Sequence, residues 1–233
     1  AGNVGDTDGN VYVGYNAGYS NISGSGLTML GFKAGQNATG SYNTYVGYRA
    51  GQGTGGAAST TGDHNTGVGY EVLKAITTGH SNTTVGYQAG SEITTGTQNV
   101  FIGYQAGESS TDTNNTIAIG NEAARDGDLG DYGTIMGVYA GLNSTGASNV
   151  LLGYKAGFAI AATANTVLIG SEAGDAINST DANGTVAIGY AAGTAITSGQ
   201  QNTLVGFRAG ENLADNDYNT AVGYQALEDC TNN

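Results

Sequence analysis

The chain has 233 residues, with 42 glycines, no proline, no tryptophan and a formal net charge of −13 against only six lysines and arginines. So few basic residues leave almost nothing to neutralise phosphates, which argues against a nucleic-acid or anionic-membrane partner. No apolar run reaches the length of a membrane-spanning helix, and the single Cys230 has no second cysteine to pair with.

A segment of the form VGYxAG recurs from one end of the chain to the other, and its copies are aligned here on the first glycine. The thirteen aligned glycines usually follow one another after 17 residues, and the other spacings are 16, 19 and 22. A fixed period of this length indicates a repeat architecture in which each copy forms one coil. The aligned glycines are Gly14, Gly31, Gly47, Gly69, Gly86, Gly103, Gly120, Gly137, Gly153, Gly170, Gly189, Gly206 and Gly223.

The residues that flank the aligned glycine predict the core. The residue before it is aliphatic in every copy, the residue after it is Tyr or Phe in ten copies, and the third residue after it is alanine in twelve. Side chains two apart share one face of a strand, so these positions are predicted to face the core together. The tyrosines of this predicted core ladder are Tyr15, Tyr48, Tyr70, Tyr87, Tyr104, Tyr154, Tyr190 and Tyr224.

The residue two before the aligned glycine predicts an assembly interface. The same alternation places it away from the core, yet it is large and apolar in eight copies. An apolar ridge on a thin solenoid predicts a surface that packs against a partner. The alternative is that these side chains only cover neighbouring coils. The predicted interface residues are Tyr12, Met29, Tyr45, Phe101, Ile135, Leu151, Leu168 and Leu204.

Glycine and asparagine recur at further fixed places. The glycines after the alanine, such as Gly18 and Gly90, and those seven before the aligned glycine, such as Gly24 and Gly40, are predicted to supply corners with positive φ. Asparagine recurs four before the aligned glycine, or five before it in two copies, and predicts a stacked ladder. The asparagines are Asn10, Asn43, Asn65, Asn82, Asn99, Asn149, Asn202 and Asn219, with Asn115 and Asn165 one residue earlier.

These patterns predict an all-β fold. A helix is disfavoured because each glycine in a helix interior costs about 1 kcal/mol. We therefore predict that residues 1–233 form a single domain, a parallel β-solenoid of about thirteen coils with a 17-residue repeat. At a strand spacing of about 4.8 Å, the coils would make a rod roughly 60 Å long.

The pattern NTxVGYxAG, as in Asn82 to Gly90 and Asn219 to Ala226, resembles the repeats of phage and viral tail-fibre-like proteins and, more distantly, those of trimeric autotransporter adhesin heads. The resemblance implies a left-handed parallel β-roll, usually a homotrimer, exposed outside a cell or on a virion. The 17-residue period and the aromatic residue after the glycine depart from the adhesin heads.

The predicted function is that of a non-enzymatic structural or adhesive fibre component, joined at its ends to neighbouring fibre domains. The only histidines, His64 and His80, lie in corner segments without an evident nucleophile. A solenoid enzyme that degrades polysaccharides is the alternative, since scattered carboxylates could supply the two groups that such hydrolysis needs.

No cofactor is predicted, although acidic corners suit calcium. Solvated acidic corners are the simpler interpretation. The calcium candidates are Asp6 and Asp8, then Asp126, Asp128 and Asp131, and finally Asp215 and Asp217.

Ice binding is a third hypothesis, because threonine recurs three before the aligned glycine in seven copies. The other six copies have Val or Ile there, and this exchange favours an inward, near-isosteric site over a water-facing one. The threonines are Thr28, Thr44, Thr66, Thr83, Thr134, Thr203 and Thr220.

Contacts with a host glycan or protein receptor are predicted where the repeat is irregular, because insertions in repeat proteins form loops. These segments could equally be neutral insertions. They are Gln52 to His64, Asp175 to Gly184, and the charged stretch Arg125 to Tyr132.

Overall fold

The computed structural model describes residues 9–54 and 60–229, and it divides the chain into two compact units, Ala1–Asn115 and Thr116–Asn233. Each unit is a parallel β-solenoid with one short strand in each coil, which confirms the predicted fold class. The calcium candidates Asp6 and Asp8 lie outside the described residues.

The strands of the first unit are β1 (Val11–Val13), β2 (Thr28–Leu30), β3 (Thr44–Val46), β4 (Thr66–Val68), β5 (Thr83–Val85) and β6 (Val100–Ile102). Those of the second unit are β7 (Ile117–Ile119), β8 (Thr134–Met136), β9 (Val150–Leu152), β10 (Val167–Ile169), β11 (Val186–Ile188), β12 (Thr203–Val205) and β13 (Thr220–Val222). A short 3-10 helix, Thr180–Ala182, lies between β10 and β11.

Within each unit, neighbouring strands pair at equivalent repeat positions. Thr44 lies beside Thr66, and Val46 lies beside Val68. The coil-to-coil bonding continues beyond the strand, where the backbone N–H of Gly69 donates to Val46 O at 2.8 Å and that of Glu71 donates to Tyr48 O at 2.9 Å. Equivalent residues of successive coils therefore stack in columns.

The residues two before the aligned glycine form the inner column, which is the centre of the core. Met29, Phe101, Leu151 and Leu168 are 0% exposed. The prediction that this position forms an assembly interface is therefore wrong. Its members Met29, Tyr45, Phe101, Ile135, Leu151, Leu168 and Leu204 are buried, and Tyr12 in the first described coil is half-buried.

A left-handed residue explains the error. In all thirteen coils the residue two after the aligned glycine has φ between 51 and 61°. Alternation of faces holds only along extended backbone, and a residue with this φ turns the chain instead. The alanine beyond it is buried as predicted, whereas the aliphatic and aromatic residues before it point outward.

An aliphatic residue seven after the aligned glycine completes the core and was missed in the sequence. The side chains of Ile76 and Ile93 approach the glycines of the same or neighbouring coils, and all residues of this set are at most 1% exposed. The signal was the recurring Ile-Thr-Thr-Gly segment, as in Ile76 to Gly79 and Ile93 to Gly96. The set is Ile76, Ile93, Ile160, Ile177, Ile196 and Leu213.

The asparagine column, four before the aligned glycine, is a buried ladder as predicted. Asn82 is 0% exposed, and its Nδ2 donates to Gly96 O at 2.8 Å and to Asn65 Oδ1 at 3.1 Å. Its own Oδ1 accepts from the backbone N–H of Asn99 at 3.1 Å and from Asn99 Nδ2 at 3.0 Å. Each amide therefore joins its coil to both neighbours.

Asn115 and Asn165 do not belong to this ladder. Both have positive φ and occupy the place of Gln98 in other coils. The buried place is taken by the threonine that follows, and Thr166 Oγ1 donates to Asn149 Oδ1 at 2.8 Å. Threonine can replace asparagine there because its hydroxyl also donates to the neighbouring coil.

Two columns of the repeat require glycine for different physical reasons. The aligned glycines have φ between 130 and 143°, and a Cβ on Gly86 would clash with the carbonyl oxygen of Gly103 in the next coil. The glycines seven before them do not have positive φ, so that part of the prediction is wrong. They are required by close approach, since a Cβ on Gly24 would lie 2.6 Å from Gly40 O.

Candidate interaction surface

Three columns on the outside of the strands form what we call the outer face. They are the threonine column three before the aligned glycine, the aliphatic column directly before it and the aromatic column directly after it. The aromatic column was predicted to be a core ladder, and that assignment is wrong. Its tyrosines are between 38 and 73% exposed: Tyr15, Tyr48, Tyr70, Tyr87, Tyr104, Tyr154, Tyr190 and Tyr224.

The aromatic rings do stack as a ladder. In the first unit, successive rings from Tyr15 to Tyr104 have centroids 5.0 to 5.3 Å apart and interplanar angles of 5 to 15°. Each ring covers the faces of its neighbours, so mainly ring edges and hydroxyls meet water. In the second unit Asn121, Val138 and Ser171 interrupt the column, and the stack resumes from Tyr190 to Tyr224.

The outer face is apolar and uncharged. Its aliphatic column includes Leu30, Met136 and Val85, which are 45, 41 and 36% exposed. None of the three columns contains an Asp, Glu, Lys or Arg in any of the thirteen coils, although the chain carries 25 such residues. This side of the strands therefore has no charged side chain in any coil.

The threonine column also lies on the outer face. Thr83 is exposed, and Thr28, Thr44 and Thr66 are half-buried at the water-facing side of their strands. The interpretation that threonine exchanges with valine because the position is inward is therefore wrong. Both residues are β-branched and suit the surface of a strand.

A charged ridge borders the aromatic column, formed by the residues two and five after the aligned glycine. All six basic residues of the chain lie on it. Glu71, only 5% exposed, accepts from Arg49 Nη1 at 3.3 Å and from Lys74 Nζ at 3.0 Å. Arg49 also lies over the Tyr48 ring, 5.2 Å from its centroid. The six are Lys33, Arg49, Lys74, Arg125, Lys155 and Arg208.

The ridge of the second unit contains carboxylates in excess. Arg208 lies 3.6 Å from both Glu211 and Glu228. Desolvation raises the pKa of Glu211, and Glu228 raises it further, whereas Arg208 lowers it. Desolvation likewise raises the pKa of Asp175. The charge of Lys155 lowers this pKa, and the charge of Glu172 raises it.

Variation in coil length is confined to the segment between the ridge and the asparagine column. The irregular stretches 52–64, 125–132 and 175–184 all fall there, although residues 55–59 are outside the described part. In the last of them Ser179 caps the 3-10 helix, and its Oγ accepts from the backbone N–H of Asp181 at 3.2 Å. The outer face is thus left unchanged by insertions.

Among the described residues, the calcium candidates Asp126, Asp128, Asp131, Asp215 and Asp217 are not assembled into a site. Both oxygens of Asp126 are engaged by Arg125, at 2.6 and 2.7 Å, and Asp217 accepts from the backbone N–H of Gln200 at 2.9 Å. Asp215 accepts from Thr197 Oγ1 at 3.3 Å. Within residues 9–54 and 60–229, no three His, Cys, Asp or Glu side chains are grouped as a metal would require, Asp128 and Asp131 included.

The histidines lie in surface corners, as predicted. The His64 ring stacks on Tyr42 with centroids 5.0 Å apart, and His80 Nδ1 lies 3.4 Å from Ser81 Oγ. The described part of the chain contains no pocket. It also contains no helix with the length and apolar character needed to cross a membrane.

Comparison with protein-family models, with curated proteins and with solved structures finds no match to this chain.

Proposed function

We propose that this chain is a non-enzymatic segment of an extracellular, cell-surface or virion fibre, and that it assembles with copies of itself through the outer face. The observation that carries the proposal is the absence of charge from three columns of an otherwise acidic surface. Partly exposed Val, Ile, Leu, Met, Tyr and Phe side chains in such an array gain most by burial against a similar array.

The size of the outer face supports a stable contact. Six strands about 4.8 Å apart, and four residue steps of about 3.3 Å across them, give the first unit a face on the order of 400 Å². Taken by itself, the outer face of the second unit has a comparable area. One partner of a standard protein interface contributes about 800 Å², with an apolar centre and a polar rim in which arginine is common.

The flanks of the outer face favour copies that run in the same direction. One flank is the charged ridge, where the first unit has Lys33, Arg49 and Lys74 against Glu71 and Glu108. The opposite flank of this unit, six before the aligned glycine, carries Asp63 and no Lys or Arg. A parallel cyclic oligomer places the first flank of one copy beside the second flank of the next, whereas antiparallel copies oppose like flanks. A homotrimer fits this arrangement.

The test is the mass of the protein in solution after charges are placed on the outer face. Val68 and Val85 are 37 and 36% exposed, so lysine fits at both without disturbing the core. We expect the wild type to be trimeric and Val68→Lys/Val85→Lys to be monomeric, with the same β-type circular dichroism, because two buried cations per copy oppose association.

The matched control is Gln88→Lys/Gln105→Lys, which adds the same charge on the ridge of the same unit. This variant should stay trimeric. A wild type that is monomeric at micromolar concentration while retaining its β spectrum would contradict the proposal.

Ice binding is the second candidate, and the outward threonine column favours it. Thr28, Thr44, Thr66 and Thr83 occupy four successive coils beside the aliphatic column. A flat, regular array of methyl and hydroxyl groups can order water. If the wild type is monomeric and shows thermal hysteresis that Thr44→Lys/Thr66→Lys lacks, the outer face binds ice. If the wild type shows no thermal hysteresis at high protein concentration, this candidate function is discarded.

A further inference from the structure

A second surface feature lies at the corner column, the residue five before the aligned glycine. Its residues all have positive φ, between 52 and 78°. Glycine and asparagine tolerate this conformation, and they occupy the column in Gly26, Asn115 and Asn165, among others. A bulky side chain there is a conformational outlier.

Three tyrosines occupy this strained column. Tyr42, Tyr132 and Tyr218 have φ of 60, 64 and 59°, and they are 61, 65 and 66% exposed. The left-handed conformation costs a non-glycine residue on the order of 1 kcal/mol, and side chains this exposed recover little of it by burial. Positive φ recurs at non-glycine residues of every coil, so what distinguishes these three positions is a large exposed aromatic ring rather than the backbone.

Tyr42 is the member with a structural explanation. Its ring stacks on His64 in the next coil, with centroids 5.0 Å apart. On its other side it covers Gly26, where an added Cβ would lie 2.8 Å from Tyr42 Cδ1. Within the described residues, no aromatic ring stacks on Tyr132 or Tyr218. The residue that follows Tyr132 in the column is the small, exposed Ser148.

An aspartate precedes each of these two tyrosines, at Asp131 and Asp217. Asp217 is oriented by Gln200, whose backbone N–H donates to Oδ1 at 2.9 Å and whose Nε2 donates to Oδ2 at 3.4 Å. A carboxylate has about four acceptor positions, so it can also accept from a ligand. Each corner thus has an exposed tyrosine directly after an aspartate.

We propose that the corners Asp131–Tyr132 and Asp217–Tyr218 bind neutral hexose residues of a linear polysaccharide. The C–H face of a sugar ring packs on the electron-rich face of tyrosine, and sugar hydroxyls donate to the carboxylate. Acidic sugars are repelled by the aspartates and by the net charge of −13. This inference rests on the proposed role as a segment of an exposed fibre and identifies the class of ligand that such a fibre would bind.

The repetition of the corner favours a glycan over a protein. Both corners lie in the second unit, and five coils of about 4.8 Å separate them by roughly 24 Å. The two sites have the same residue types in the same column and conformation. A polymer of one sugar presents the same group repeatedly along its length, whereas the surface of a protein without sequence repeats does not.

The experiment is affinity electrophoresis of the full chain through gels that contain dextran, a mixed-linkage β-glucan or galactomannan, with hyaluronate as the acidic glycan. We expect retardation in at least one neutral gel and none in hyaluronate. Tyr132→Asn/Tyr218→Asn should weaken this binding at least about tenfold, equivalent to roughly 1.4 kcal/mol. Tyr132→Phe/Tyr218→Phe should keep most of it, because the ring face remains.

Thermal stability separates recognition from a structural role. Asparagine suits the left-handed conformation, so Tyr132→Asn/Tyr218→Asn should melt at the same or a higher temperature while losing glycan. Ser148→Ala/Gln201→Ala, in the same column, should leave binding unchanged. A lower melting temperature of the tyrosine variant would show that these tyrosines serve the fold, and would overturn the proposal.

The other possible results of these experiments also test the proposed glycan binding. No retardation in any neutral gel, or equal retardation of wild type and Tyr132→Asn/Tyr218→Asn, would overturn the proposal. So would retention on a polylysine column that is lost in Tyr132→Asn/Tyr218→Asn when no neutral gel retards the wild type, which would assign the corners to a basic protein partner. Because these variants leave the outer face intact, their mass in solution reports the proposed self-assembly independently.

Discussion

At the residue scale, the fourth coil shows how side chains share the space inside the solenoid. In most coils a large inner-column side chain covers the glycine that follows the alanine, as Tyr45 covers Gly51. Here the inner column has Gly67, and Leu73 stands where that glycine would be, with φ of 48° and no exposure. Leu73 fills the volume that Gly67 leaves, and the filled core offsets its backbone strain.

The neighbouring coil has an imperfection that predicts a stabilising substitution. Thr84 is 0% exposed, and its Oγ1 has no hydrogen-bond partner among the described residues. Thr84→Val removes the unpaired hydroxyl and keeps the shape, so it should raise the free energy of unfolding by about 1 kcal/mol in denaturant titrations.

Thr166→Val is the matched control, because its buried hydroxyl donates to Asn149. It should lower the free energy of unfolding by about 1 kcal/mol. Equal effects of the two substitutions would show that hydroxyl pairing does not distinguish them.

The sequence correctly predicted which residues share most of the columns, but it did not predict which columns face the core and which face the solvent. The repeat identified most columns, including the stacked tyrosines and asparagines, but not the core column of Ile76 and its equivalents. It placed Tyr70 inside and Met29 outside because alternation was counted through Glu71 and its equivalents. Lysine, arginine, glutamate and glutamine at that position give no local signal of a left-handed φ, so the inversion was invisible without the backbone.

At the element scale, the asparagine column contributes more to cohesion than the three-residue strands alone suggest. Asn82→Ala would remove the donations to Gly96 O and Asn65 Oδ1 and the acceptor for Asn99. Several buried backbone groups would lose their partners, so we expect a loss of at least about 3 kcal/mol in the free energy of unfolding.

Two substitutions test that explanation. Asn82→Thr should cost less than Asn82→Ala, because threonine occupies the equivalent place at Thr166 and donates to the next coil. Asn121→Ala, on the exposed aromatic column, should change stability by no more than about 0.5 kcal/mol. An Asn82→Ala protein as stable as Asn121→Ala would contradict the role given to the ladder.

The existence of these elements was predictable, since regular glycine and asparagine spacing admits few alternatives to a coil with one strand. The core residue at Ile76 and its equivalents was not identified, because it lies in a corner segment where strand alternation gives no guide. An assembly interface was expected on columns that turned out to be the core, and the outer face is the surface now proposed for assembly.

At the scale of the whole molecule, charge is divided unevenly. The basic residues all lie on the charged ridge, so the other surfaces of an acidic chain lack cations. Desolvation raises the pKa of Glu211 and of Asp175. An acid with a raised pKa in the folded state contributes stability below its ordinary pKa, and this contribution is lost as the pH rises through the raised value.

The contribution of these two carboxyl groups to the melting temperature should therefore fall as the pH rises above their ordinary pKa values of about 4 at low ionic strength. Asp175→Asn/Glu211→Gln should weaken this fall and melt higher than the wild type at pH 7. Glu92→Gln, an exposed glutamate of the first unit, controls for loss of a negative charge. A pH profile of the double variant parallel to that of the wild type would exclude these two carboxylates as its source.

The restriction of length changes to one segment of the coil has a consequence for how such a chain can diversify. Segments 52–64 and 175–184 exceed the usual repeat without altering the register of the strands that follow them. Foreign peptides or extra loops inserted there would leave the backbone ladders and the outer face intact. This makes the segment a permissive grafting site, where new specificities could be acquired while the framework that carries them stays constant.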